Sequence, residues 1–344
     1  MKKRWPDFLR LHAKPGLWAL IGLAILLAAC APAVQTAPPK DTITPFPTST
    51  ATASLTPTAS NTPTTNPTPT LTPPPTPAVL AGAGDISICG QEGDDQTAAL
   101  LKTAMPDAVF TAGDNTNGSG TFEEYITCFD ASWGYFRHMI RPAPGNHDYY
   151  TEKNAQSYFQ YFGEAAGEPG KGYYSWDLGD WHLIALNSNC LNIDGCGPDS
   201  PQVQWLREDL QANRDRCVLA YWHHPRWTSG LAGNSFWLQA FWDALYEYGA
   251  EIVVSGHDHN YERFAPVGPA GQPDPERGIR QFVVGTGGAS QRGFAEPLPF
   301  SEVRNSGDFG ILLFRLYPDR YEWEFIPVEG GDFRDSGSGQ CHKD

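Results

Sequence analysis

Short apolar runs that end in glycine-rich polar turns recur from about residue 78 onward, and they set the expected elements. The runs over 78–87, 107–113, 217–222, 251–255 and 281–284 read as strands, and the β-branched content of 251–255 marks it as buried. Apolar residues at helical spacing occupy 94–105, 122–139, 200–212 and 235–248, with Ser200 as a cap for the third. The aromatics of 235–248 read as core. Alternation about Gly179 and Asp180 predicts a hairpin over 172–187, and a second hairpin is expected over 310–327. Residues 140–144 lead into a loop. This mixture, with hairpins concentrated late, predicts an α/β (α+β) class: a four-layer αββα sandwich of two mixed sheets flanked by helices, in a single domain.

The first 79 residues follow different rules. Lys2, Lys3, Arg4, Arg10 and Lys14 precede an apolar run over 17–29, the layout of a secretory signal peptide. It ends in Leu27-Ala28-Ala29-Cys30, which resembles the lipobox of bacterial lipoproteins, whose cysteine is acylated after cleavage. An uncleaved membrane anchor is the alternative, although the run is short against the ~20 residues of a bilayer span and Pro32 follows closely. Either reading exports the rest of the chain. Residues 31–79 are nearly all Pro, Thr, Ala and Ser, a composition that cannot offset its ordering entropy and so reads as a disordered tether. The expected organisation is a signal peptide over 1–30 with lipidation at Cys30, a linker over 31–79, and a catalytic domain over 80–344.

Charge and cysteine usage narrow the partners. The chain carries 24 Lys and Arg against 39 Asp and Glu, a formal net charge of −15. Several of the basic residues lie before the domain, which is therefore the more acidic part and a poor match to nucleic acid. Some of its carboxylates could instead hold metal. Six cysteines follow Cys30, an even number that in an exported domain suggests disulfides. Cys190 and Cys196 flank a short Asn/Asp/Gly loop and form the first expected pair. Cys89 and Cys128 each follow a candidate metal loop and form the second. Cys217 opens an apolar strand and reads as a buried thiol, and no Cys-x-x-Cys points to a thiolate metal site.

The chemistry gathers where the predicted strands end. Gly256-His257-Asp258-His259 follows the run 251–255, and in extended geometry His257 and His259 would share a face. Two neutral imidazoles aimed together are good metal ligands, whereas an isolated His-x-His could equally be a satisfied surface pair. Other strand ends carry Gly84-Asp85, Gly113-Asp114, Gly145-Asn146-His147-Asp148 and His223-His224-Pro225. Ends of strands are where sites of layered α/β proteins collect. The series resembles the calcineurin-like metallophosphoesterases over almost all of 80–330. The stretch from Gly256 through Asn260, Tyr261, Glu262 and Arg263 is most similar to the purple acid phosphatase branch and its bacterial relatives.

That resemblance implies a metal-dependent phosphoric ester hydrolase with two metal ions, which activate water and clamp the ester for in-line displacement. It assigns Asp114 as the bridging carboxylate, Asp85 and His259 to the first metal, and Asn146, His223 and His257 to the second. It places His147 beside the phosphate as proton donor or charge stabiliser, with Asp148 tuning it, and leaves His224 to face the substrate or orient its loop. Two departures from the family pattern are visible. Ser87 stands where Asp-x-His would put a histidine, and Asn117 stands where the purple branch has tyrosine. Asn117, Ser87 or water could fill that position, so the expected ions are divalent (Zn, Mn, Fe or Mg) and the protein colourless. Gly285-Thr286-Gly287-Gly288 reads as a turn or as part of the pocket mouth. The expected substrate is a small phosphate monoester. A phosphodiesterase or nucleotidase of the same fold is the alternative, and a non-catalytic surface binding protein on a decayed scaffold is a further one. No Gly-x-Ser-x-Gly elbow suggests a serine hydrolase.

Overall fold

Alternation along the central strands decides the architecture. In the strand Cys217–Tyr221, Cys217, Leu219 and Tyr221 enter one apolar core, while Val218 and Ala220 enter another. Ile252 and Val254 likewise face the first core and Val253 the second; Phe282 and Val284 face the first and Val283 the second. Side chains two apart share a face, so a sheet with two apolar faces must be covered on both. A second sheet covers one face and helices cover the other.

The computed structural model describes residues 76–342. Its strands are β1 (Ala78–Ala83), β2 (Ala108–Ala112), β3 (Ile140–Ala143), β4 (Tyr174–Leu178), β5 (Trp181–Ala185), β6 (Cys217–Tyr221) and β7 (Ile252–Ser255). They continue with β8 (Tyr261–Phe264), β9 (Arg280–Val284), β10 (Ser301–Asn305), β11 (Gly310–Leu316), β12 (Arg320–Pro327) and β13 (Asp335–Gln340). One sheet has the order β13-β12-β11-β1-β2-β3 and the other β10-β8-β9-β7-β6-β5-β4. Both are mixed: β1, β2 and β3 run parallel, as do β5, β6, β7 and β9, and the remaining pairs are antiparallel. Aromatic contacts join the sheets face to face, with Phe282 on Phe314 at 5.5 Å, Phe110 on Tyr221 at 5.8 Å and Tyr261 on Phe325 at 4.6 Å.

The helix α1 (Gly93–Ala104) packs against β1 and β11. The stretch 122–139, expected as one helix, is instead broken. α2 (Phe122–Glu124) is capped by the Thr121–Glu124 capping box, a π-helical turn spans Tyr125–Phe129, and α3 (Asp130–Ser132) runs into a 3₁₀ turn, Trp133–Phe136. The π turn carries Tyr125, whose buried hydroxyl is engaged by Asp148 in the site below. π turns of this kind cluster at functional sites. α4 (Gln156–Phe162) precedes the first hairpin. α5 (Pro201–Ala212), capped by Ser200, and α6 (Gln239–Glu247) cover the outer face of the second sheet through Val203, Leu206, Phe241 and Leu245.

The signal-peptide assignment, Cys30 and nearly all of the linker lie outside the described residues. β1 begins at Ala78, two residues inside the segment assigned to the linker. The expected pairs Cys190–Cys196 and Cys89–Cys128 are disulfides. The expectation of a thiol at Cys217 is wrong. Cys217 pairs with Cys341, because the chain that leaves β13 returns beside the start of β6.

Candidate metal centre

The parallel strands of both sheets point their C-terminal ends at one place, and backbone hydrogen bonds join the sheets there. Gly84 N donates to Val284 O at 2.9 Å and Gly287 N to Gly84 O at 2.9 Å, while within the second sheet Gly256 N donates to His223 O at 3.0 Å. Asp85 follows β1, Asp114 β2, Asn146 β3, His223 β6 and His257 β7, while His259 precedes β8. Asp85, Asp114 and His257 adopt φ of 57°, 49° and 70°. Residues with a Cβ rarely take left-handed backbone, and where they do the surroundings must hold them. The adjoining glycines show how closely those surroundings fit. A Cβ on Gly145 would lie 2.1 Å from Asp114 Oδ1, and one on Gly256 would lie 2.6 Å from Asp85 Oδ2.

His223 occupies the centre. Its Nδ1 meets Ala112 O at 2.9 Å, a partner that can only accept, so Nδ1 carries the hydrogen and Nε2 presents a lone pair in the neutral ring. Around that Nε2 stand Asn146 Oδ1 at 3.0 Å, His257 Nδ1 at 3.2 Å and Asp114 Oδ2 at 3.2 Å. His259 repeats the device: Nδ1 donates to Ser290 O at 2.8 Å, and Nε2 lies 3.3 Å from Asp85 Oδ1. Asp85 also accepts from His257 N through Oδ2 at 2.7 Å, and Asp114 accepts from His147 N through Oδ1 at 2.8 Å.

Electrostatics follow from this crowding. Burial opposes a charge on His223, but the Asp114 carboxylate outweighs it and raises the imidazole to about 9. Burial likewise opposes a charge on His259, and Asp85 raises it. Burial and the neighbouring His223 lower His257 to about 4, and the same two causes, with His257, hold His224 well below its usual value. Burial pushes Asp85 up, yet the imidazoles of His259, His223 and His257 hold it below the ordinary carboxylate range. Lone pairs that converge on one point without enough protons between them suit a cation. Asp85, Asp114 and His223 bring ligand atoms within 4.8 Å of one another, as do His223, His224 and His257. Imidazole nitrogen together with carboxylate and amide oxygen is a donor set for divalent transition ions. The residues fit the metals that the sequence implies.

The other expected residues fall into distinct places. His147 is partly exposed, its Nδ1 on Gly118 O at 2.6 Å and its Nε2 3.9 Å from Asp114 Oδ2, so it stands beside the cluster. Asp148 does not reach the His147 ring. Its Oδ2 accepts from Gly145 N at 2.7 Å and Asn115 Nδ2 at 3.1 Å, and its Oδ1 accepts from the Tyr125 hydroxyl. Asp148 thus brackets the loop that carries Asn146 through these hydrogen bonds. Burial, with Asp114 nearby, raises its carboxyl to about 6. The Asn117 amide reaches the first site, but it is Nδ2 that donates, to Asp114 Oδ2 at 3.2 Å and Asp85 Oδ1 at 3.3 Å. Ligation by Asn117 would require the amide to turn its oxygen inward. Ser87 Oγ, two residues after Asp85, is buried without a hydrogen-bond partner. His224 makes contact on the other side, its ring 4.5 Å from His257 and its Nδ1 2.8 Å from Ser188 Oγ. The glycine turn after β9 packs behind Asp85: Ala289 N donates to Asp85 O at 2.9 Å, and a Cβ on Gly285 would meet Asp85 Oδ2 at 2.7 Å. Sequence reasoning missed Asn115 and Ser188. Asn115, adjoining Asp114, had the clearest local signal.

Comparison with known proteins agrees with this geometry. The profile described as Calcineurin-like phosphoesterase matches residues 80–261. Human Acid phosphatase type 7 is 28% identical over 268 residues, which covers 64% of this chain and 58% of the relative. Purple acid phosphatase 15 of Arabidopsis thaliana is 27% identical over 224 residues, covering 54% of this chain and 41% of the relative. The chain therefore spans less than two thirds of the length of these curated relatives. Among solved structures, the purple acid phosphatase PPD1 from yellow lupin (Lupinus luteus) seeds superposes with a TM-score of 0.65 at 19% identity, over 76% of this chain and 53% of that one. GAP50, the anchor in the inner membrane complex of Plasmodium, superposes at 0.59 and 14% identity, over 78% and 90%. These likenesses show a shared fold.

Proposed function

The chain belongs to the calcineurin-like phosphoesterase family, and from that premise we propose that it is an exported dinuclear metal phosphoesterase that hydrolyses small phosphate monoesters. The observation that carries the reading is the crowding at His223 Nε2, where Asn146 Oδ1, His257 Nδ1 and Asp114 Oδ2 all lie within 3.2 Å. A metal-dependent phosphoester hydrolase needs such a site. Bound there, two metal ions would supply an activated water and neutralise charge on the phosphoryl oxygens. Asp114 is the residue placed to join the two halves, since it approaches His223 and shares Asn117 with Asp85. Asp85 and His259 would hold one ion, and Asn146, His223 and His257 the other. Ala112 O and Ser290 O keep the two ligand imidazoles in the tautomer that leaves Nε2 free.

His147 is placed to protonate the leaving oxygen or to stabilise charge, held by Gly118 O and its backbone bond to Asp114. His224 orients its loop through Ser188. Export is supported by the charge and apolar pattern of residues 1–30 and by three disulfides. Acylation of Cys30 would then tether the domain to the outer side of a bacterial membrane, its only membrane contact in this account. The test is turnover of p-nitrophenyl phosphate against its bis ester, with and without added divalent metal. Metal-dependent release from the monoester supports the proposal. Preference for the bis ester would replace it with a phosphodiesterase, and no release from either would leave a binding protein on this scaffold.

A further inference from the structure

Exposed large apolar side chains are unevenly placed. Of the eight among the described residues, five (Tyr150, Leu191, Leu231, Phe236 and Trp237) lie on loops or on the 3₁₀ turn Phe236–Leu238 tied to the metal-ligand cluster. Ser188, whose hydroxyl meets His224 Nδ1 at 2.8 Å, lies three residues before Leu191, and Asn189 Nδ2 between them donates to Pro144 O at 3.1 Å. Ala232 N, next to Leu231, donates to Asp258 Oδ1 at 3.1 Å, and Ser235 N, next to Phe236, donates to Pro225 O at 3.1 Å. Single apolar residues on a surface are ordinary, whereas a group around a polar site points to a ligand.

Two of the five touch the site's own side chains. The Tyr150 ring stacks on His147 at 5.8 Å and 14°, and the Trp237 ring meets His224 at 6.1 Å, with His224 in turn 4.5 Å from His257. Tyr150 is 74% exposed and Trp237 55%, so each commits part of its ring to the site and leaves the rest open. His147 stands on the Asp114 side of the cluster, and His224 stands on the His257 side. The two aromatics therefore flank the place where a phosphoryl group would sit.

We propose that Tyr150 and Trp237 form an aromatic rim that binds the leaving group, so that the preferred substrate is a phosphate monoester of an aromatic or similarly flat, apolar alcohol. This rests on the phosphoesterase reading above. A polyol leaving group, such as that of glycerol phosphate, offers little apolar area to either ring, while an aryl group desolvates both and gains stacking geometry. Direct contact of the rings with His147 and His224 favours a small leaving group over a large partner docked on the same surface.

The test separates ring binding from leaving-group reactivity by using phosphonates, which are not cleaved. Calorimetric titration of the Mn²⁺-loaded protein compares phenylphosphonate with methylphosphonate at a pH where both are dianions. Phenylphosphonate should bind about tenfold more tightly, a preference reduced to about threefold by Trp237→Ala or by Tyr150→Leu and kept by Trp237→Phe, while methylphosphonate affinity changes less than about twofold. Equal affinity for the two phosphonates, with methylphosphonate still bound, would overturn the aromatic rim and leave the phosphoesterase reading standing. A preference that survives both ring deletions would overturn the assignment to Tyr150 and Trp237. If neither phosphonate nor inorganic phosphate binds the metal-loaded protein, the parent reading fails and this inference fails with it.

Discussion

Replacing Asp148 distinguishes a loop bracket from an electrostatic partner of His147. Its carboxylate takes three hydrogen bonds, from Gly145 N, Asn115 Nδ2 and the Tyr125 hydroxyl, all in the interior. Asp148→Asn can keep every one. The amide oxygen accepts from Gly145 and Asn115, and the amide nitrogen donates to Tyr125, whose hydroxyl can reverse its role. The substitution also removes a penalty. A carboxyl raised to about 6 by burial and by Asp114, against an ordinary 3.8, binds its proton more tightly in the folded state. Stability contributed by that proton is present at acid pH and lost as pH rises from about 4 to 6, roughly 3 kcal/mol in all. Asp148→Asn should therefore leave the metal-free protein at least as stable as wild type at pH 7 to 8, with turnover within a few-fold of wild type. Asp148→Ala strands the three donors at roughly 1–3 kcal/mol each and should lower the melting temperature by roughly 10 °C. It should also lower bound metal, because the loop that presents Asn146 loses its anchor. Calorimetry of metal-free protein, metal analysis and steady-state turnover read all three quantities. Loss of turnover by about 10²-fold or more in Asp148→Asn, with melting temperature and metal content intact, would show that the charge itself is needed and refute the bracket.

Three more outcomes follow from other parts of the molecule. His147→Ala should cut turnover by about 10²–10⁴-fold while metal content stays at the wild-type level, and the loss should shrink for esters with good leaving groups. Equal loss across leaving groups would leave charge stabilisation as its only role. With Asn117 in the position the purple branch gives to tyrosine, the purified protein should lack a strong visible band, and a spectrum showing one would mean that another phenolate reaches the first site. His182 links β5 to Asp177 at 2.9 Å and to Asp209 of α5 at 2.7 Å. Burial opposes its charge, but Asp209 and Asp177 prevail and raise it, so its contribution is full below about pH 6.5 and lost as pH climbs through the raised value. Melting curves of His182→Gln should thus differ from wild type most at pH 6 and least at alkaline pH, and the opposite trend would show that His182 is held neutral.

Most of the candidate ligand residues were legible because they sit in short Gly-containing motifs, with His223 marked instead by His-His-Pro, and the structure shows why glycine is there: Gly145 and Gly256 leave no room for a Cβ beside the carboxylates of Asp114 and Asp85. The central strands were legible because both faces are buried. The edge strands β10 and β13 were not. β10 alternates only between partly buried and exposed, and β13 is mostly Gly and Ser, held through Asp335 under Arg263 and Tyr261 rather than by an apolar pattern. The break in 122–139 depends on Asp148, distant in sequence, drawing Tyr125 inward. The Cys217–Cys341 bridge spans 124 residues and needs the final strand's path, which local pattern does not contain. The hydrogen bonds of Asp148 were hidden for a related reason. The backbone between His147 and Asp148 turns in a 3₁₀ segment and sends the carboxylate toward Gly145.

The central claim is that these side chains hold two metal ions through one shared carboxylate and that hydrolysis depends on them. Metal analysis of the full chain purified without chelator, beside the Asp114→Ala variant and paired with turnover of p-nitrophenyl phosphate, tests it most directly. The account predicts about two ions per wild-type chain, a clear loss of bound metal in the variant, and no measurable turnover by it. Near-wild-type metal content and turnover in Asp114→Ala would contradict it.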